Sequence, residues 1–206
     1  MTPTAYPVQL SVAYPARPLD RLTSLFRVFT VIPILIVLGT VSAASWQVGN
    51  GTAVAGAGGL LWLGPLLMIV FRQKYPRWWF DWNRELLRFA NRVAAYFLLL
   101  DDRYPSTDEE QSVHLDLPYP DVPNDLNRWL PLIKWLLALP HYVALFFIDI
   151  AAVVVVIVAW FAILVTASYP RGLFDFVEGV LRWHNRVLAY AFLLITDHYP
   201  PFRLAP

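Results

Sequence analysis

The sequence predicts an all-α membrane protein: four transmembrane helices in two hairpins, set as a parallel tandem repeat, with two interfacial amphipathic helices and a small cytoplasmic β-sheet. Three observations carry that reading. Of 206 residues, 58% are apolar and only 15% charged, against roughly 25% charged in an ordinary soluble domain. Val28–Phe71 runs for 44 residues without an Asp, Glu, Lys or Arg, about twice what a ~30 Å hydrocarbon layer needs at ~1.5 Å per helical residue. A 22-residue phrase, Tyr75–Tyr96, recurs at Tyr169–Tyr190 with 12 identities, which divides the chain into two copies of one unit, residues 1–107 and 108–206.

In chain order, Val8–Tyr14 places Val or Leu at alternate positions and reads as a short strand. Val28–Phe71 should then cross the membrane twice, through helices near Leu25–Ser45 and Ala53–Phe71 with a turn at Asn50-Gly51 beside Trp46. Seven of the nine glycines lie between Gly39 and Gly64, and Gly56 and Gly59 offer a small-residue face on which a second helix could pack closely. Ser42-Ala43-Ala44-Ser45 has the look of a signal-peptide cleavage site, but the stretch ahead of it contains the repeated strand and is expected to stay. An amphipathic helix follows, with Asp81, Arg84, Glu85, Arg88, Asn91 and Arg92 at i, i+3, i+4, i+7, i+10 and i+11. Ser106–Gln111 is a polar linker.

The second unit repeats this order. Val113–Tyr119 matches Val8–Tyr14 at a distance of 105 residues. The apolar block Trp135–Pro170 has no glycine to mark a break; the repeat favours two helices near Trp129–Ile150 and Ala151–Ser168, and one long tilted helix after Pro140 is the alternative. Arg171, Asp175, Glu178, Arg182, Asn185 and Arg186 restate the polar stripe, and Pro201–Leu204 is a candidate third strand. Arg and Lys cluster at Arg17/Arg21/Arg27, from Arg72 to Arg92, at Arg128/Lys134 and at Arg171/Arg182/Arg186 but not at the Trp46–Thr52 turn, which places both termini and the middle segment in the cytoplasm, and an even number of crossings per unit gives both units one orientation.

The repeated Tyr-Pro-Arg-x-x-Phe-Asp … Leu-Arg-x-x-Asn-Arg-Val-x-Ala-Tyr, the segment Trp129–His141 and the closing Asp197-His198-Tyr199-Pro200-Pro201-Phe202 together resemble a bacterial membrane family common in actinobacteria and labelled domain of unknown function 4389. The resemblance runs over nearly the whole chain in two tandem copies. It implies a bacterial inner-membrane location and brings no catalytic residues with it.

Two readings of the stripe are open. Arg77, Arg84, Arg88 and Arg92, with Arg171, Arg182 and Arg186, could hold anionic lipid headgroups at about 1 kcal/mol each; or Asp81 with Arg88 and Asp175 with Arg182 could neutralise one another in a polar seam between the units, with Asn91 and Asn185 on the same stripe. Lys134, His141 and Asp149 are spaced i, i+7, i+15 and would share a face of an unbroken helix, so they are the candidates for an intramembrane path. Snorkelling of Lys134, the kink at Pro140 and the lack of an acid in the first unit argue for a structural role instead. No cysteine, no metal-ligand spacing among the four histidines and no serine in a nucleophile elbow leave no cofactor, metal or catalytic residue to name. A net charge of +1 gives no reason to expect nucleic acid. The expected function is therefore a non-enzymatic accessory or scaffold subunit of a larger membrane complex, with anionic lipids and other membrane subunits as partners. A small lipid or ion transporter is the alternative.

Overall fold

Val8, Leu10 and Val12 share one face of a strand and need an apolar cover, and the matched strand offers the same face. In the computed structural model, which describes residues 6–48, 51–56, 63–109 and 111–206, the two pair with each other. Strand β1 (Gln9–Val12) runs antiparallel to a strand at Val113–Asp116, with Leu10 opposite Leu115, Gln9 opposite Asp116 and Ser11 opposite His114. Matched residues thus trade places about Leu10 and Leu115. Pro201–Leu204 adds no third strand.

After β1 come α1 (Arg21–Leu25), α2 (Arg27–Thr30), α3 (Ile32–Ser42), the hairpin β2 (Ala43–Val48) and β3 (Gly51–Gly56), and α4 (Leu63–Arg72). The first half ends in α5 (Arg77–Phe97); the second holds β4 (Val113–Asp116), α6 (Val122–Asp125), α7 (Pro131–Leu137), α8 (Leu139–Thr166) and α9 (Arg171–Leu188), closed by a π-helical turn at Ala189–Leu193.

Four transmembrane helices in two hairpins are not what forms. Among the described residues one helix, α8, is long and apolar enough to cross a membrane, with 28 residues and a mean hydropathy of 2.9 over its most apolar 18-residue stretch. At ~1.5 Å per residue it reaches about 42 Å. The expected break near Asp149 is missing because nothing there stops a helix: no Gly or Pro occurs between Pro140 and Pro170. In the first half the reverse holds. Leu25–Ser45 and Ala53–Phe71 shorten to apolar helices over Arg27–Ser42 and Leu63–Arg72, and Ala43–Val48 and Gly51–Gly56 form β2 and β3, with Ala43 opposite Gly56 and Val48 opposite Gly51. Glycines cost a helix ~1 kcal/mol each.

The spacing between matched residues falls from 107 at Arg27/Lys134 to 94 at Tyr75/Tyr169, so the first half carries 13 extra residues where the second has continuous α8. A smaller insertion lies at the other end. The spacing rises from 94 at Tyr96/Tyr190 to 95 at Asp102/Asp197, and the additional residue is taken up by the π-helical turn. Left-handed non-glycine residues also come in matched pairs, Gln73 (φ 48°) with Ala167 (56°) and Leu99 (67°) with Leu194 (58°).

The two amphipathic helices α5 and α9 form a middle layer. On one side they meet the strands. On the other, Phe89, Val93 and Tyr96 of α5 pack on Val31 and Ile34, and Trp183 and Val187 of α9 pack with Ala138 and Leu145. The main core joins Val8, Leu10, Leu115 and Leu117 to Tyr75, Phe80, Tyr169 and Phe174.

Candidate functional site

Each amphipathic helix starts from a proline at its N-cap, Pro76 (φ −63°, ψ 127°) and Pro170 (φ −60°, ψ 128°). Their fixed φ suits a helix entrance, and the common start delivers matched side chains to matched places. Arg88 Nε donates to the Leu115 carbonyl at 3.2 Å, and Arg182 Nε to the Leu10 carbonyl at 2.9 Å. Arg182 also donates to Leu204 O at 2.8 Å and to Glu178 at 2.7 Å, and Glu178 accepts from the Val12 N–H at 3.0 Å. Arg92 donates to Glu109 O; Arg186 donates to Arg203 O at 3.2 Å and Ala205 O at 2.8 Å. Between them Asn91 and Asn185 exchange hydrogen bonds of 2.9 and 2.7 Å.

The four inner arginines are thus engaged by backbone carbonyls of strand, linker and tail. Asp81 turns to Arg77 and Arg84 of its own helix, at 3.8 and 3.4 Å, and Asp175 is exposed. Arg77 and Arg171 remain at the rim, each over a tyrosine from the other half of the chain: Arg77 lies 4.7 Å from the Tyr119 ring and Arg171 3.7 Å from that of Tyr14. Those tyrosine hydroxyls donate to the carbonyls of Tyr75 and Tyr169 respectively. Trp78 stands exposed beside Arg77.

A second pair of matched cations lies deeper. Lys134 is fully buried, 2.7 Å from Asp197, and donates to Thr196 O at 2.7 Å with the Tyr190 ring 5.3 Å away. Burial pushes its pKa down from the usual lysine value and Asp197 opposes that shift. Arg27 occupies the matched place. It donates through Nη1 to Asp101 O at 2.9 Å and stacks 3.9 Å from the Tyr96 ring, but its Nε and Nη2 have no partner. Asp102, the match of Asp197, pairs instead with Arg17 at 2.8 Å. Asp101 and Asp102, which their place at a repeat exit marks as solvated charge, are both largely covered; Asp101 accepts from Ser112 and pairs with Arg103.

His141 is caged apart from Lys134. Its Nδ1 accepts from Trp183 Nε1 at 3.1 Å, and Phe202 stacks on it at 3.9 Å. Asp149 faces His184 of α9 at 3.3 Å, half exposed. Each of the three expected path residues therefore has its own partners. Gly56 closes strand β3 instead of sitting on a helix face, and Gly59 lies outside the described residues. Among the described residues no group of His, Asp or Glu could hold a metal ion.

Sequence reading alone passed over Asp197 as the partner of Lys134, Tyr14 and Tyr119 as clasps, and Arg27 with Ser24 as a buried polar pair. The signal for the first was present, since Asp-x-Tyr-Pro closes both halves. No curated protein and no solved structure matches this chain. Residues 129–203, which run from Trp129 through α7, α8 and α9 to Arg203 and include Lys134, His141, Arg182 and Asp197, match the family model described as a domain of unknown function (DUF4389).

Proposed function

We propose that the chain is a non-enzymatic, membrane-embedded scaffold or accessory subunit built from two tandem copies of one unit, which contacts anionic lipid at its rim and packs against a larger membrane assembly. One observation carries the reading. The apolar surface of α8 is bare: only 17% of its most apolar stretch is buried, and Val143, Phe146, Phe147, Ile150, Val153 and Val154 face outward. A core helix of a soluble protein would be mostly covered, and an apolar face this long needs lipid or protein around it. Leu35, Ile36 and Val37 of α3 and Leu132, Ile133 and Leu136 of α7 add to it.

Lipid contact falls to a shorter list of cations than the sequence offers. The inner arginines are occupied by carbonyls, so headgroups are left to exposed Arg72, Lys74, Arg77 and Arg171, with Trp78 and Trp129 at the apolar boundary. The resemblance to the bacterial family supplies the bacterial inner membrane as the setting.

Two measurements on the protein in its own membrane test this. It should stay in the pellet on alkaline carbonate extraction; release would overturn the membrane reading. Native mass spectrometry after gentle solubilisation should then find a stoichiometric larger assembly, and a lone monomer would overturn the subunit reading.

A further inference from the structure

Beside Arg27 lies a cavity of about 390 Å³ between α1, α2, the end of α5 and α8. Its wall is apolar, from Phe97, Val156, Trp160 and Phe161 among others, and its polar side chains are Ser24, Arg27 and the Trp160 indole. The indole N–H is already spent on Ser24 O at 3.0 Å. Ser24 and Arg27 are 0% and 2% exposed, and Ser24 Oγ, Arg27 Nε and Arg27 Nη2 have no hydrogen-bond partner.

A buried guanidinium with two idle donors is costly unless something accepts from them. Nε–H and one Nη2–H point the same way from the planar group and form the edge that grips both oxygens of a carboxylate or phosphate. Here that edge is the free one, because Nη1 is the nitrogen held by Asp101 O. The carboxylate that could fill it, Asp102, is engaged by Arg17. Around the cavity Leu25, Val28, Phe97, Ile157 and Phe161 are themselves exposed, so it opens onto the apolar exterior and a guest would arrive from an apolar phase.

We propose that this cavity binds a single-chain amphiphile, its oxyanion head on the Nε/Nη2 edge of Arg27 with Ser24 Oγ as a third donor and its alkyl chain along Val156, Trp160 and Phe161. The head is either a fatty carboxylate or the phosphate of an anionic lipid. About 390 Å³ is within the usual range of small-molecule sites. The site rests on the membrane reading only for the phase that delivers the ligand.

The test uses the full chain in an uncharged maltoside detergent, with native mass spectrometry to count adducts and thermal unfolding to score stabilisation. Dodecanoate or dodecyl phosphate should add once, saturably, and raise the unfolding temperature; dodecanol and inorganic phosphate should not. Preference between the two anionic probes identifies the head. Arg27→Gln should weaken binding at least tenfold. Should that variant fold poorly, Ile157→Trp keeps Arg27 and fills the cavity, and it should abolish the adduct. Saturable dodecanol binding equal to dodecanoate, unchanged affinity in Arg27→Gln, an adduct retained by Ile157→Trp, or no adduct of either anion would overturn the proposal. Failure of the membrane reading would show separately, as release by carbonate.

Discussion

Arg27 and Lys134 stand at matched positions, each beneath a matched tyrosine and each donating to the carbonyl just before the closing Asp-x-Tyr-Pro. They differ in what happens to the acid. Asp197 stays with Lys134 at 2.7 Å, whereas Asp102 is drawn away by Arg17. One site is closed by its own carboxylate and the other keeps two donors idle beside a cavity. In two halves that share a sequence phrase, a matched cation can be closed by its own acid in one and left with idle donors in the other.

The largest expected effect breaks the closed site. Lys134→Met strands the Asp197 carboxylate, and removing one partner of a buried pair costs roughly 3–5 kcal/mol; the lower end applies because Asp197 is 22% exposed. The double variant Lys134→Met/Asp197→Leu should recover most of that loss. Arg27→Met should cost about 1–2 kcal/mol, since only the Asp101 hydrogen bond and the Tyr96 stack are lost. Unfolding midpoints of the three variants in one detergent would check this, and equal losses for Lys134→Met and Arg27→Met would break the comparison.

Next come the arginines that hold the strands. Arg182 is buried with three partners, while Arg88 is half exposed with one carbonyl and Glu85. Arg182→Met should destabilise by about 2–3 kcal/mol and Arg88→Met by about 1 kcal/mol. Equal losses in the same unfolding assay would mean that the carbonyl bond, common to both, is the whole contribution.

How far this was legible in sequence follows from what each signal measures. Alternation at Val8–Val12 and Val113–Leu117 reports a face, and a face with a twin elsewhere in the chain is enough to pair the strands. Identity at Asn91/Asn185 and Arg88/Arg182 marked residues that do meet or act in parallel. Hydropathy, by contrast, counts apolar length and is blind to what breaks a helix: it gave a two-span reading to a glycine-rich block that contains a β-hairpin, and the repeat carried that reading over to a glycine-free block in which α8 is one helix. The Arg27 cavity could not be read at all. It depends on Asp102 choosing Arg17, 85 residues away, and no periodicity records that choice.

A smaller effect sharpens the same point. Arg17 is mostly exposed and its pair with Asp102 is worth less than about 1 kcal/mol, so Arg17→Ala should barely shift the unfolding temperature. It should nonetheless free Asp102 to approach the idle edge of Arg27, making the first site resemble the second. Dodecanoate affinity would then fall severalfold, measured by adduct titration. Unchanged affinity would show that Arg17 is not what keeps the site open.

A further effect, of opposite sign, concerns a feature that the two halves share. Burial raises the phenol pKa of both Tyr75 and Tyr169 well above the usual 10, and Asn83 opposes the shift at Tyr75 while nothing does at Tyr169. The Tyr169 hydroxyl has no hydrogen-bond partner, and a buried hydroxyl left unpaired is a net cost. Tyr169→Phe should therefore stabilise by about 1 kcal/mol, and Tyr75→Phe, whose hydroxyl likewise has no hydrogen-bond partner, by a similar amount. The pH dependence has a definite sign. Above pH ~10 the unfolded chain releases these phenolic protons and the folded chain keeps them, so the unfolded state binds fewer protons and stability falls as pH rises toward the folded values. Unfolding temperatures at pH 9 and pH 11 should thus converge in Tyr169→Phe relative to the unsubstituted protein. An equal drop in both would show that the Tyr169 phenol ionises while still folded, and that water reaches it.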